Sequence, residues 1–225
     1  MKGGIFFTPM KILIIDSGSG GKVVERYLKS WNKDLDIIYD CDIENMPYGA
    51  KSREEILRLT KNITDKHEGE YDILVPACNT MSAALIEGGR LNRRTVDIIT
   101  PTIHELKRQN LRNLAIISTE YTHNSKLYLR ALRIPSRSSK TLAKLIEDGI
   151  DENELAIRNE VKRLLQPMVQ RGIERVVLGC THYELIDYII RDIYPHLELL
   201  YPGKYQAKQV LRLVDLLEEE EKCRM

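Results

Sequence analysis

No run of apolar residues in this chain approaches the roughly 18 needed to cross a bilayer, so no membrane partner is expected. Its opening stretch, Met1–Met10, holds one Lys and only the brief Ile5-Phe6-Phe7 run. That run is too short for the apolar region of a secretory leader, and a cytoplasmic address is the expectation. Charge of one sign is lacking as well. The 34 Lys and Arg are balanced by 33 Asp and Glu, which leaves a formal net charge of +1 and no electrostatic reason to expect nucleic acid. Cysteine is scarce, and Cys41, Cys78, Cys180 and Cys223 form no CxxC pair. The spacing argues against a structural zinc site and for reduced thiols over bridges. No low-complexity tract marks a linker. A chain of 225 residues can bury one large or two small cores, and 43% apolar with 30% charged residues excludes disorder.

What the chain does have is one local pattern used twice. Tyr71–Ala77 runs into Cys78-Asn79-Thr80, and Glu174–Gly179 runs into Cys180-Thr181-His182. Each reads as a buried strand, a corner of small residues, a cysteine and a helix start. Each sulfur is thereby predicted at the carboxyl end of a strand, the edge where open parallel sheets bind ligands. The amino end of a helix also favours thiolate over thiol, so lowered thiol pKa values are expected. Two such settings suggest two halves that face one substrate.

Along the chain, strands are predicted at Met10–Ile15, Leu35–Asp40, Tyr71–Ala77, Asp97–Thr100, Leu114–Ser118, Val176–Leu178 and Leu197–Tyr201. Helices are predicted at Lys22–Trp31, from Ser52 to about Lys66, after Cys78, before Gln109, over Asp151–Arg171 with Pro167 near its end, and over Tyr205–Lys222. Ser52 and Glu55 have capping-box spacing. Ser136–Ala143 reads as a polar connection. Alternating strands and helices define an α/β chain with parallel sheets. The turn Asp16-Ser-Gly-Ser-Gly-Gly21 invites a phosphate-site reading, but Asp16 and Val23 stand where a Walker loop needs Gly and Ser or Thr. What remains is an acid and a hydroxyl at a strand end, with helix capping by Asp16 as the plainer alternative. The hydroxyls of Thr119, Thr122, Ser125 and Tyr128 recur every three residues and suggest a polar ligand wall.

Several chemistries are excluded. A phosphatase loop would need Arg where Ala84 and Ile186 stand, and no cluster completes a metal shell around Cys180 and His182. Two-base proton exchange uses both cysteines: one thiolate takes a proton from carbon while a thiol on the opposite face returns one. Asp16 is the candidate partner of Cys78, and His182 that of Cys180. Hydroxyls and backbone N–H groups at helix starts would hold a carboxylate substrate.

Five elements in this order resemble the cofactor-independent glutamate racemases: Asp16-Ser-Gly-Ser-Gly-Gly21, Pro47-Tyr48-Gly49, Cys78-Asn79-Thr80, Thr119-x-x-Thr122-x-x-Ser125-x-x-Tyr128 and Gly179-Cys180-Thr181-His182-Tyr183. The resemblance implies two pseudosymmetric α/β domains, each a parallel sheet flanked by helices, with the active site between them. The first would take residues 1–98 with the returning helix 205–225, and the second residues 99–204. It implies interconversion of L- and D-glutamate without pyridoxal phosphate, metal or other cofactor, supplying D-glutamate for peptidoglycan, in a homodimer. By position, Cys78 would act on D-glutamate with Asp16, and Cys180 on L-glutamate with His182. Glu147 matches the family's acidic residue beside Cys180. Ser17, Pro47, Tyr48, Gly49, Asn79, Thr80, Thr119, Thr122 and Thr181 would line the pocket. The chain departs by a shortening around Leu132–Lys144 and by Glu184 where the family usually has proline. An aspartate racemase, or a non-catalytic amino-acid-binding relative, is the alternative.

Overall fold

The computed structural model describes residues 9–32 and 34–224. The leader reading of residues 1–8 lies outside them. Strand β1 (Lys11–Asp16) leads through a glycine turn into α1 (Lys22–Trp31). β2 (Asp36–Cys41), α2 (Arg53–Lys66), β3 (Ile73–Pro76) and α3 (Asn79–Glu87) follow. The three strands form a parallel sheet of order β2-β1-β3. In β1 five successive residues, Ile12 to Asp16, are buried, as a central strand covered on both faces requires. Alternation sorts them. Ile12 and Ile14 pack with Val23, Val24 and Leu28 of α1, whereas Leu13 and Ile15 pack with Ile56, Leu59 and Ile63 of α2 and Met81 of α3. Ser52 caps α2 as its spacing predicts, its hydroxyl accepting the Glu55 N–H at 3.2 Å.

The predicted strand at Asp97–Thr100 does not form. Thr95 makes a single parallel bridge to Leu74, and α4 (Ile99–Gln109) begins at once. The reason is local: the Asp97 carboxylate accepts the N–H groups of Ile99 and Thr100, at 2.8 and 2.7 Å, and so satisfies two free donors of a helix start. Pro101 then falls in the first turn, where it is tolerated.

The second sheet has order β5-β4-β6-β7, again parallel. β4 (Leu114–Thr119) is followed by α5 (Glu120–Ser125) and α6 (Leu127–Leu132), which a left-handed Lys126 separates. β5 is Ser136–Ser139, inside the stretch predicted to be a connection. Its polar sequence suits an edge strand that has one neighbour only. α7 (Leu142–Glu147), α8 (Ile150–Val169), β6 (Arg175–Gly179), α9 (Thr181–Glu184), α10 (Asp187–Ile193) and β7 (Glu198–Leu200) complete the sheet and its cover. Ala115, Ile117, Val176 and Leu178 face α7 and α8; Ile116 and Val177 face α4 and α6.

The last helix, α11 (Pro202–Arg224), starts earlier than predicted, with Pro202 at its first position. Ala207, Val210, Val214 and Leu217 pack on α1 and β1. Buried Gln206 donates to the carbonyls of Pro76 and Val96, tying the helix to the end of β3. Among the described residues no helix is long and apolar enough to cross a membrane.

Glu184, at the end of α9, is buried where α1 and α11 meet. Its carboxylate accepts the Gly203 N–H at 2.9 Å and the Tyr27 hydroxyl at 3.3 Å. Burial pushes its pKa up to about 7 from an ordinary 4.5, although the Gly203 bond opposes the shift. The folded chain therefore binds a proton here that the unfolded chain releases. The stability this group contributes is complete below its unfolded pKa and is lost as pH rises through about 7. Glu184→Gln keeps an acceptor and removes the titration. Thermal melts should find the variant roughly 5 °C more stable than wild type at pH 8.5, with the gap closing by pH 5. A gap independent of pH would contradict this reading.

Candidate active site

The registers bring the two cysteines to one place. Asp16 pairs with Cys41 at the carboxyl end of β1 and Ile15 with Pro76 of β3, so Cys78 leaves its strand beside Asp16. Ser118 pairs with Gly179, so Thr119 and Cys180 leave β4 and β6 together. Both sulfurs lie under the surface, with Cys78 7% and Cys180 6% exposed, and charge on one bears on the other.

Two sets of partners surround them. Asp16, fully buried, accepts the Gly18 N–H at 2.9 Å and the Thr181 hydroxyl at 3.2 Å, a bond from one sheet to the other. The Ser17 hydroxyl lies 3.4 Å from Cys78 Sγ. Opposite, His182 places Nδ1 3.8 Å from Cys180 Sγ and Nε2 2.6 Å from a Glu147 carboxylate oxygen. Glu147 is held in turn by Ser19 of the glycine turn, whose N–H lies 3.1 Å from both oxygens and whose hydroxyl donates at 2.7 Å.

The expected lowering of the Cys78 pKa is overturned: its thiol is pushed up to about 12, by burial first and by the charge of Asp16 second. Magnitudes decide the sign. A helix amino end contributes about 0.3–1 kcal/mol, less than one pKa unit, while burial moves a group by up to about 3–5 units. Burial also raises Asp16, against the pull of His182. Burial works against the imidazolium of His182, but its bonds to Cys180 and Glu147 outweigh that and raise it. The bond to His182, helped by Ser19, holds Glu147 low. The site thus pairs a neutral thiol at Cys78 with a buried ion pair beside Cys180.

The predicted pocket residues fall into three groups. Thr80 donates to Thr119 at 2.8 Å and Thr119 to Thr122 at 3.0 Å, one chain across both sheets. Asn79 is buried beside it, and Thr181 carries the bond to Asp16. Pro47, Tyr48 and Gly49 form an adjoining turn. A Cβ on Gly49 would sit 3.0 Å from Thr119 Cβ, and the Tyr48 hydroxyl is spent on Asp42 at 2.8 Å. The hydroxyl wall is only half a wall: Ser125 bonds the Thr122 carbonyl, and Tyr128 bonds Asn79. Sequence reasoning assigned no role to Ser19, and nothing near position 19 signals a partner at 147.

The glycines of the Asp16–Gly21 turn make room for protein, not phosphate. A Cβ on Gly20 would lie 2.6 Å from His182 Nδ1 and 2.7 Å from Thr181 Oγ1; one on Gly18 would lie 3.2 Å from both Glu147 and His182. Among the described residues no cluster of three or more His, Cys, Asp or Glu could hold a metal ion.

A pair of thiols with separate neighbours, enclosed where two parallel sheets meet, is an arrangement able to take a proton from one face of a carbon and return one to the other. The match of residues 12–210 to the Asp/Glu/Hydantoin racemase family model agrees, and the chain belongs to that family. It is 32% identical over 209 residues to the glutamate racemase of Persephonella marina, covering 88% of this chain and 80% of the relative. To that of Bacillus cereus it is 33% identical over 210 residues, covering 88% and 77%. Among solved structures, a glutamate racemase isoform of Bacillus anthracis superposes with a TM-score of 0.81 at 25% identity, over 94% of this chain and 82% of the other. An aspartate racemase from Picrophilus torridus shares the fold, with a TM-score of 0.69 at 16% identity over 92% and 94%.

Gly20→Ala should displace His182 by the better part of an ångström and cut the rate of racemisation by at least about 100-fold with the protein still folded. Ser19→Ala keeps the backbone bond to Glu147 and should cost about tenfold. Steady-state kinetics beside circular dichroism measures both. Equal, small losses would mean that the turn does not set the His182 position.

Proposed function

We propose that the chain is a glutamate racemase, interconverting L- and D-glutamate by proton removal and return at the α-carbon and so supplying D-glutamate for peptidoglycan. The observation that carries this reading is the enclosure of Cys78 and Cys180 with separate partners, Asp16 and the Glu147–His182 pair. The curated relatives at about 30% identity are glutamate racemases, which favours glutamate. The aspartate racemase likeness extends to the fold alone.

From L-glutamate, Cys180 Sγ as thiolate takes the α-proton while the Cys78 thiol gives its proton to the opposite face. The C–H bond broken and the C–H bond formed balance, and the enzyme is left with Cys180 protonated and Cys78 as thiolate. D-glutamate runs the sequence backward. The raised pKa of Cys78 suits its donor role, since it stays a thiol until the carbanion develops. The His182 imidazolium, fixed by Glu147, faces the sulfur that carries charge on the other side. Ser17, Asn79, Thr80, Thr119, Thr122 and Thr181 face the substrate, with N–H and O–H groups to meet its two carboxylates and side-chain oxygens to accept from its ammonium, and Pro47, Tyr48 and Gly49 form the adjoining wall. This chemistry asks for no pyridine cofactor or metal.

We assign the residues to two units, 1–98 with 205–225 and 99–204, an arrangement that the packing of α11 on α1 and β1 favours. We further propose a homodimer with a cytoplasmic address, a reading that the family likeness supports. Inversion and α-proton exchange in D2O test the chemistry, with wild type, Cys78→Ala and Cys180→Ala each given L- or D-glutamate or L- or D-aspartate. Wild type should invert glutamate. Each variant should lose inversion by more than about 1000-fold yet still exchange one glutamate enantiomer at its remaining base: L in Cys78→Ala, D in Cys180→Ala. No exchange by folded, reduced wild type would leave a binding protein; preference for aspartate would reassign the substrate.

A further inference from the structure

We propose that Tyr128 is a positioning residue for the substrate: its hydroxyl orients the Asn79 side chain so that the amide N–H groups point at the bound amino acid. The proposal rests on the glutamate racemase reading of the site and adds a residue to it. Tyr128 lies on α6, beyond the end of β4, and Asn79 opens α3 directly after Cys78. The phenol donates to Asn79 Oδ1 at 2.9 Å, and both side chains are buried, at 3% and 1% exposure.

Two independent observations give that bond a purpose. First, Asn79 Nδ2 is buried with no hydrogen-bond partner, although its neighbours in the same pocket are fully paired. A buried amide without an acceptor is costly and rare in a native protein unless something absent completes it. The missing group must be an acceptor, and a substrate carboxylate is one. Second, an asparagine amide can turn over and exchange its oxygen for its nitrogen. Burial keeps the Tyr128 phenol protonated far above neutral pH, so it presents a donor. With the phenol's proton on Oδ1, Asn79 presents its oxygen to Tyr128 and Nδ2 points the other way.

The bond also crosses from an element of one sheet to an element of the other. The residue next to Cys78 is thus held in place by the half of the molecule that carries Cys180. This explains why Tyr128 continues the Thr119, Thr122, Ser125 series without lining the pocket as they were expected to do.

A double-mutant cycle over Tyr128→Phe and Asn79→Ala tests the assignment, with KM and kcat for both glutamate enantiomers, calorimetric glutamate binding and melting temperature read for all four proteins. Tyr128→Phe keeps the ring and should raise KM and the glutamate dissociation constant about tenfold, with kcat changed less than threefold. On the Asn79→Ala background the same change should add nothing, because no amide is left to orient. Calorimetry closes the cycle even where Asn79→Ala turns over too slowly to follow. Equal effects on both backgrounds, or a lowered melting temperature with unchanged glutamate affinity, would make Tyr128 a packing contact and overturn the proposal. Wild type that neither inverts nor binds glutamate would remove the underlying reading and the proposal together. Active wild type with an additive cycle removes the proposal alone.

Discussion

The contact between the Asp16–Gly21 turn and the Thr181-His182 pair is the constraint on which the site depends. Backbone and imidazole approach so closely at Gly20 that no side chain fits between them. Because they meet there, Asp16 can take a hydrogen bond from Thr181 and Ser19 can grip Glu147. Asp16 and Glu147 therefore each owe part of their environment to the opposite half. Separating the sheets would take the Thr181 bond from the buried Asp16 carboxylate and the Ser19 bonds from Glu147, and buried acceptors are expensive to leave without partners. The same approach encloses the two sulfurs, which lie 7% and 6% exposed.

Enclosure also makes the two thiols unequal. Cys78 sits beside a carboxyl in a fully buried corner, and burial overrides the modest field of its helix. Cys180 caps a helix of four residues, too short to supply much field, and has instead an imidazolium held by a carboxylate. A two-base exchange needs one donor and one acceptor at any instant. Different surroundings meet that need better than two equivalent thiols would. Glu184, two residues beyond His182, extends the theme outward: a buried carboxyl that ties α9 to α1 and to the start of α11.

What was legible in the sequence was what local pattern encodes. The repeated strand-to-cysteine corner placed both sulfurs at strand ends, and the apolar run Met10–Ile15 marked the central strand β1. The Ser52 cap could be read from spacing alone. Failures came where one side chain or a distant neighbour decided. Asp97–Thr100 is rich in β-branched residues and looks like a strand, yet its own Asp97 carboxylate starts a helix there. Ser136–Ser139 lacks any apolar period because, as an edge strand, it takes its order from β4. Ser19 with Glu147, and Tyr128 with Asn79, are bonds between residues far apart in the chain and leave no mark in either segment. The pKa of Cys78 was misjudged because helix position is local information and burial is not.

The central claim is that two different groups handle the proton on the two faces of the α-carbon. Deuterium placement during the first few per cent of conversion by wild type in D2O tests it most directly. Starting from unlabelled L-glutamate, the D-glutamate formed should carry deuterium at the α-position in nearly every molecule, while the remaining L-glutamate carries almost none. The mirror experiment should give the mirror result. Product that keeps its original hydrogen, or deuterium spread equally between product and unreacted substrate, would point to a single base and contradict the assignment of both cysteines.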